Sequence, residues 1–95
     1  MSVEGRELNK RSWPAITVDI LETTVHPVNK MRIMYKANLN FDRFNRYFGD
    51  LLRRGFIEEV NNGNGRKEYK ITERGIDLME VLRKAQELAL SEKDV

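Results

Sequence analysis

The sequence from residue 29 to residue 55 reads NKMRIMYKANLNFDRFNRYFGDLLRRG, and this stretch predicts two consecutive helices. Apolar residues recur at three- and four-residue spacing on both sides of Asn38-Leu39-Asn40, which is typical of two helices joined by a short turn. Asn29 can cap the first helix and Asn40 the second, because an asparagine oxygen accepts from the free N–H groups of a helix start. The predicted helices cover about residues 30–36 and 40–54.

Each of these helices has one apolar face. In the longer helix, the side chains that should face the core are Phe44, Tyr47, Phe48, Leu51 and Leu52. The shorter helix would bury Ile33, Met34 and Ala37. Gly55 then ends the longer helix, because glycine adopts the left-handed conformation that commonly follows a helix.

A further helix is predicted upstream. Ser12 can cap it, and Pro14 suits its first turn because the missing N–H would have no partner there. The helix extends over about residues 13–23, and its apolar face consists of Trp13, Ile16, Ile20 and Leu21. The residue before a proline avoids helical geometry, so residues 25–28 should form an extended connector.

A β-hairpin and a long helix are predicted downstream. Residues 56–60 and 66–71 have the composition of strands, and the second segment alternates with period two. The turn at 61–65 is rich in glycine and asparagine and joins them. Thr72 can cap the last helix, which covers about residues 73–91.

This order of elements predicts the fold class. The second and third helices form a helix-turn-helix, and the hairpin directly after them is a wing. We therefore expect a mainly α fold with a small β-hairpin (α+β), a winged helix-turn-helix followed by a long C-terminal helix. The 95 residues divide into a flexible N-terminal arm at 1–11, the winged domain at 12–72, and a C-terminal helix and tail at 73–95.

Positive charge is concentrated in the middle of the chain. The formal net charge is +2, but residues 29–54 contain seven basic and two acidic residues, a net +5. Such a stripe suits an anionic partner, and the phosphate backbone of nucleic acid is the commonest one. An ordinary solvated helical surface is the alternative.

The outward face of the 40–54 helix carries the candidate base contacts. A helix fits the major groove of DNA, and its first turns reach the base edges. Arg43 and Arg46 can donate in pairs to guanine, and Asn45 can pair with adenine. Phe41 either contacts a thymine methyl group or packs against the turn.

Two further positions on this helix are informative. Asn40 is a candidate DNA contact as well as a cap. Gly49 leaves the outward face without a side chain, either because the backbone approaches DNA closely or because another helix packs there.

Basic residues outside this helix are candidate backbone contacts. Lys30, Arg32 and Lys36 should touch phosphates, because the first helix of the motif crosses the DNA backbone. Arg66 and Lys67 directly follow the wing turn and are expected to contact phosphate or the minor groove. The alternative is that they are charges that protect a strand edge from aggregation.

The segment 30–57 and the segment YKITERG at 69–75 resemble the small archaeal winged-helix DNA-binding proteins, and the similarity covers roughly residues 14–90. This resemblance implies that the protein dimerises through the long C-terminal helix as an antiparallel coiled coil. It also implies binding to duplex DNA, as a chromatin-type protein or a transcription regulator. One departure is Met31, where the family often has a threonine whose hydroxyl could bind a phosphate.

The C-terminal helix carries more apolar surface than the domain can cover, since a rise of about 1.5 Å per residue takes its second half beyond the domain body. An exposed apolar seam usually marks an interface, and a two-fold dimer is the commonest solution. A frayed tail is the alternative. The expected dimer contacts are Leu78, Val81, Leu82, Ala85, Leu88 and Ala89.

Several other classes of protein are not expected. The chain has no cysteine, which excludes disulfides and thiolate metal sites, and His26 is its only histidine. The carboxylates of Glu58-Glu59 and Asp77-Glu80 lack a nucleophile or a phosphate-binding loop beside them, so we expect no enzyme, cofactor, metal or small-molecule ligand. No apolar run is long enough to span a membrane, and a cytoplasmic, nucleoid-associated protein is expected.

The sequence thus predicts a homodimer that binds double-stranded DNA, with the recognition helix at 40–54 in the major groove and the wing at 61–67 on the backbone or minor groove. The alternative is a winged-helix module that binds another protein, since Asp42 and Asp50 also lie on the recognition helix. Arginines of that helix engaged with acids would favour it. An accessory domain of an enzyme is a third, weaker alternative.

Overall fold

The computed structural model describes residues 12–61 and 63–94, with the side chains up to residue 89. These residues form four helices and one two-stranded antiparallel sheet. The elements are α1 Trp13–Thr23, α2 Lys30–Ala37, α3 Phe41–Arg53, β1 Ile57–Asn61, β2 Lys67–Ile71 and α4 Glu73–Asp94. The predicted winged helix-turn-helix with a long C-terminal helix is confirmed, and the predicted arm at 1–11 lies outside the described residues.

The caps predicted for α2 and α3 are present. The N–H of Arg32 donates to Asn29 Oδ1, and the N–H of Arg43 donates to Asn40 Oδ1, both at 2.8 Å. Asn38 follows α2 in the left-handed conformation, with φ 57°. Asn38 thus ends α2 and Asn40 starts α3 only two residues later, which makes the turn of the motif sharp.

The structure corrects two details of α1. Ser12 precedes the helix in an extended conformation, but its side chain makes no capping hydrogen bond. Ile16, Ile20 and Leu21 are fully buried, whereas Trp13, expected on the same apolar face, is 56% exposed. Trp13 occupies the first turn of α1, beyond the end of the core.

The connector between α1 and α2 joins the wing sheet. Val28 exchanges two backbone hydrogen bonds with Tyr69, at 3.1 and 2.8 Å, and the N–H of Ile71 donates to the carbonyl of Thr24 at 2.8 Å. Thr24 is fully buried, and its hydroxyl donates to the carbonyl of Leu21. The segment predicted as a simple extended link therefore holds the hairpin against α1.

The hairpin pairs Ile57 with Ile71 at its base and Asn61 with Lys67 at its tip. Its inward side chains reach the core, where Phe48 stacks on Phe44 with ring centroids 5.2 Å apart and meets Tyr69 edge to face at 4.8 Å. The buried apolar core consists of Ile16, Val18, Ile20, Leu21, Ile33, Ala37, Phe44, Phe48, Leu51, Ile57, Tyr69, Ile71, Met79 and Leu82. Three residues expected to be buried, Met34, Tyr47 and Leu52, are only partly buried against this core.

The start of α4 is attached to the end of α3. The Thr72 hydroxyl donates to the carbonyl of Gly55 at 2.6 Å and accepts from the N–H of Gly75 at 3.1 Å, so the predicted cap is present. A Cβ atom on Gly75 would lie 2.1 Å from the carbonyl oxygen of Phe56. A glycine is therefore required at position 75 for α4 to approach the chain this closely.

We predict that Gly75→Ala lowers the free energy of unfolding by about 3 kcal/mol, because the added methyl group meets backbone that cannot easily move. Gly49→Ala is the matched control: a Cβ there would meet only the tip of the Arg53 side chain, at 3.3 Å. Alanine has the higher helix propensity, so this control should gain up to about 1 kcal/mol. Urea unfolding of both variants measures the difference, and equal stabilities would show that α4 does not approach the Phe56 carbonyl this closely.

Candidate nucleic-acid interface

The exposed face of α3 is centred on a line of residues spaced by four, three and four positions, which lie above one another on a helix. This line contains Asp42, Arg46, Gly49 and Arg53. Arg46 is exposed near the start of the helix, while Arg43 and Asn45 are half-buried on its two flanks. Phe41 is 64% exposed, so its ring is largely free of the turn.

The arginines of α3 fall into two groups according to their ionic partners. Asp50 accepts from Arg53 at 3.3 Å and from Arg54 at 3.1 Å, and all three side chains are substantially exposed. Within residues 12–61 and 63–89, neither Arg43 nor Arg46 forms an ion pair. Among the described residues, Arg43 and Arg46 are therefore not held in ion pairs, although Asp42 also lies in the first turn, whereas the charge of the last turn is partly neutralised by Asp50.

The basic residues of α2 extend this surface. Lys30, Arg32 and Lys36 are all exposed, and the Lys30 ammonium lies 5.1 Å from the centre of the Phe48 ring. Such a cation–π contact holds the lysine stem against the protein at the start of α2, so its position is more defined than that of a free surface lysine.

Two apolar residues on α2 were not identified as site candidates from the sequence. Met31 is 68% exposed and Tyr35 is 83% exposed, and their four-residue spacing puts them on one outward face of the helix. Helical spacing could have identified them as exposed, because both positions fall outside the row of Ile33 and Ala37 that faces the core. Tyr35 adds a hydroxyl group to the exposed side of the motif.

The wing presents its two cations to solvent from a defined turn. Arg66 and Lys67 are both exposed. The N–H of Gly63 donates to Asn61 Oδ1 at 3.0 Å, and the N–H of Arg66 donates to Asn64 Oδ1 at 3.1 Å. These short-range bonds fix the backbone from which Arg66 projects.

The surroundings of Gly49 distinguish between the two explanations for this glycine, which are close approach to DNA and close packing of another helix. The tip of Arg53 is the nearest atom that an added Cβ would meet, and no other helix of the described chain packs there. Close packing of another described helix is therefore not the reason for a glycine at this position.

The expected dimer residues divide into two groups. Leu82 is 7% exposed and belongs to the core of its own domain, and Leu78 packs partly against that core. Val81 and Leu88 are 64% and 58% exposed, and Ala85 and Ala89 are exposed as well. Among the expected dimer residues, the second group is therefore left exposed, and we call it the α4 seam: Val81, Ala85, Leu88 and Ala89.

The described residues contain neither a cluster of metal ligands nor a helix suited to a membrane. No three His, Cys, Asp or Glu side chains among the described residues are grouped so that they could hold a metal ion. None of the described helices has the length and apolar character needed to cross a lipid bilayer.

The hairpin directly after the helix-turn-helix, together with the bridge from Val28 to Tyr69, defines a winged-helix protein. A family model described as winged helix-turn-helix matches residues 10–90. The crystal structure of Sso10a-2, a DNA-binding protein from Sulfolobus solfataricus, is 30% identical with a TM-score of 0.69, and the match covers 88% of this chain and 90% of that one. The chain belongs to the winged helix-turn-helix family, and its resemblance to small archaeal members is confirmed.

More distant structures share the fold. SSV1 F-93 is 20% identical with a TM-score of 0.63, and the match covers 85% of this chain and 93% of that one. The reduced form of the transcriptional regulator YodB from B. subtilis is 20% identical with a TM-score of 0.64, with 94% and 87% of the two chains covered. No curated protein matches the sequence.

We predict that Asn40→Ala lowers the free energy of unfolding by about 1 kcal/mol, because the N–H of Arg43 loses its partner. Asn40→Asp should leave stability nearly unchanged, since aspartate caps equally well. Asn45→Ala is the control, because the Asn45 side chain has no hydrogen bond within the described residues. Thermal unfolding measures all three, and an equal loss in the Ala and Asp variants of Asn40 would argue against capping.

Proposed function

We propose that this protein binds double-stranded DNA as a homodimer and acts as a transcription regulator or a chromatin-type protein. The observation that carries the proposal is that Arg43 and Arg46, on the first two turns of α3, form no ion pair with any described residue. These turns are the part of a recognition helix that reaches base edges in the major groove. Membership of the winged helix-turn-helix family and the likeness to the DNA-binding protein Sso10a-2 support it.

The arrangement of side chains suggests how the contacts divide. Arg46 is exposed at the centre of the outward face and is best placed for a bidentate contact with guanine, with Arg43 and Asn45 on either side. Phe41 is free to meet a thymine methyl group. Gly49 lets the α3 backbone come close to the floor of the groove.

The remaining cations suit the phosphate backbone, which contributes affinity but carries no sequence information. Lys30, Arg32 and Lys36 extend the basic surface along α2. Arg66 and Lys67 extend it at the tip of the wing, where they can reach phosphate or the minor groove. Asn40, whose side-chain oxygen is occupied by the cap, retains its amide N–H groups for a contact at the start of α3.

One observation favours the alternative of a protein-binding module. Asp50 neutralises part of the charge of Arg53 and Arg54, as expected of a helix that meets a mixed-charge partner surface. The pairing is confined to the end of α3, however, and leaves the first two turns positive. DNA binding therefore explains the charge distribution better.

The homodimer would form along the α4 seam. Val81, Ala85 and Leu88 recur at four- and three-residue spacing, which is the spacing of a coiled-coil core. Exposed apolar residues in such a row are costly in a monomer and are buried when two copies pair. Leu78 lies at the start of the same row, and Leu82 is already used by the core of each domain.

We predict that duplex DNA binds with an affinity that falls steeply as salt rises, with a slope of log affinity against log salt near −0.9 for each phosphate neutralised. Arg66→Ala should weaken binding to all sequences alike and reduce the slope by about one. Arg46→Ala should instead reduce discrimination between sequences, by about 1–3 kcal/mol. Fluorescence anisotropy with selected and scrambled duplexes measures both effects.

Lys84→Gln is the matched control, because it removes one exposed positive charge from α4, away from the wing and α3. It should leave both the affinity and the slope unchanged. If the parent protein shows no binding at low salt, or a slope near zero, DNA binding is refuted and the protein-binding alternative is favoured.

We further predict that Leu88→Asp converts the dimer to a monomer, because it places a charge in the centre of a buried apolar row. Glu87→Ala, which changes the neighbouring exposed residue outside that row, should remain dimeric. Sedimentation equilibrium of both variants and the parent protein measures the change. A parent protein that is monomeric throughout the micromolar range would contradict the homodimer.

A further inference from the structure

An open groove of about 910 Å³ runs along one flank of α3. Its α3 wall includes Arg43, Asp50 and Arg54, whose seven- and four-residue spacing places them on one side of the helix. Trp13 and Thr17, one turn apart at the start of α1, form a second wall. The groove thus brings the start of α1 beside the basic flank of α3.

The groove borders the face of α3 that we propose to enter the major groove of DNA. Arg46 and Arg53 belong both to the outward line of this face and to the lining of the groove. A helix is about 10–12 Å across and the major groove is about 12 Å wide, so a helix inserted there has a phosphate strand along each side. If α3 enters the DNA, one strand therefore passes along the flank that forms this groove.

The charges that line the groove suit a polyanion. The charged lining consists of four arginines and one carboxylate, a net +3: Arg43, Arg46, Arg53, Arg54 and Asp50. Asp50 accepts from both Arg53 and Arg54, so its carboxylate is partly neutralised within the groove itself. A strand of linked phosphates is the ligand that such a row of cations attracts most strongly, because each neutralised phosphate releases counterions.

Trp13 contributes an exposed aromatic ring to the groove. Its side chain is 56% exposed, whereas Ile16 and Ile20, further along the same helix, are fully buried. The core thus holds α1, and with it the position of Trp13, while the ring itself stays available to a ligand. An indole ring has an apolar face and a single N–H group that only donates.

These two properties of Trp13 match the repeating unit of a DNA backbone. A deoxyribose presents apolar C–H groups, and the phosphate beside it presents anionic oxygens that accept hydrogen bonds. The face of Trp13 can pack on the sugar while its N–H donates to the phosphate, and Arg43 can bind phosphate from the α3 wall. The combination of an aromatic ring with arginines favours a sugar-phosphate strand over a small inorganic anion, which would leave the ring uncovered.

We propose that the groove receives the sugar-phosphate backbone of one DNA strand, and that Trp13 is a positioning residue that packs on this strand from α1. The inference rests on the proposed DNA binding and adds α1 to its contact surface. Because the strand is then contacted from α1 and α3 at once, the depth of α3 in the major groove is defined. Backbone contacts carry no sequence information, so Trp13 contributes affinity equally to all sequences.

The chain has one tryptophan, so its fluorescence reports on this position alone. In the free protein, Trp13 emission should be quenched readily by acrylamide. Saturation with a duplex at low salt and fixed protein concentration should protect it, and raising the salt until the DNA dissociates should restore quenching. Anisotropy of a labelled duplex in parallel samples records whether DNA is bound.

Substitution of Trp13 measures its contribution to affinity. Trp13→Ala should raise the dissociation constant for duplex DNA roughly tenfold, because a hydrogen bond to a charged group is lost together with the packing of the ring. The factor should be the same for selected and scrambled duplexes, and the salt slope should stay unchanged, since no charge is removed. Trp13→Tyr, which keeps a ring with a donor group, should recover most of the affinity.

Val25→Ala is the matched control. Val25 is an apolar residue that is 41% exposed, and it lines a separate groove to which α3 contributes no residue. This variant should bind DNA as the parent protein does. Thermal unfolding of every variant separates the loss of a DNA contact from the loss of the fold.

The outcomes separate this inference from DNA binding itself. DNA that binds while Trp13 stays accessible to acrylamide, or that binds Trp13→Ala as tightly as the parent protein, overturns the inference and leaves the proposed function standing. A Trp13 that is already protected in the free protein overturns it as well, because a protein segment then occupies the groove. A parent protein that binds no DNA overturns both.

Discussion

The arrangement of α3 and α4 depends on one contact, between the segment at 54–56 that follows α3 and the segment at 72–75 where α4 begins. We call this contact the corner. The Thr72 hydroxyl donates to the carbonyl of Gly55, the N–H of Thr72 donates to the carbonyl of Phe56, and Arg74 donates to the carbonyl of Arg54. Gly75 lets the two backbones come together. Three consecutive carbonyls just beyond the end of α3 are therefore bound by Thr72 and Arg74 at the start of α4.

This corner has a consequence for the proposed function. If two copies pair along α4, the position of each α3 is fixed by the corner of its own domain. The distance between two recognition helices then follows from the length of α4 between the corner and the seam, rather than from a flexible linker. A rigid spacing of this kind is what recognition of two half-sites on one face of DNA requires.

The order of the elements could be predicted from the sequence because local chemistry determines it. Asn29, Asn40 and Thr72 cap helices through bonds that span three residues, and Gly55 has a left-handed φ of 79°. The bridge between the connector and the wing could not be predicted in the same way. Its pairing of Val28 with Tyr69 joins residues about forty positions apart, and no local pattern specifies such a register.

The distinction between local patterns and long-range packing also applies to the candidate site. Helical spacing identifies which residues share a face but not which partner covers that face. Trp13 has the spacing of a core residue, yet it lies beyond the end of the core. On α4, Leu82 and Val81 are adjacent and equally apolar, and only the packing of α1 determines that Leu82 turns inward. The pairing of Asp50 with Arg53 and Arg54 likewise depends on side-chain geometry, and it leaves the positive charge of α3 on its first turns.

The central proposal is that the two α3 helices of a homodimer bind one DNA duplex, and hydroxyl-radical footprinting on a selected duplex tests it most directly. The account predicts two protected segments on the same face of the DNA, separated by a whole number of helical turns of about 10–10.5 base pairs each. The separation should not change with protein concentration once the site is full. A single protected segment, or protection that spreads evenly along the duplex, would contradict the claim.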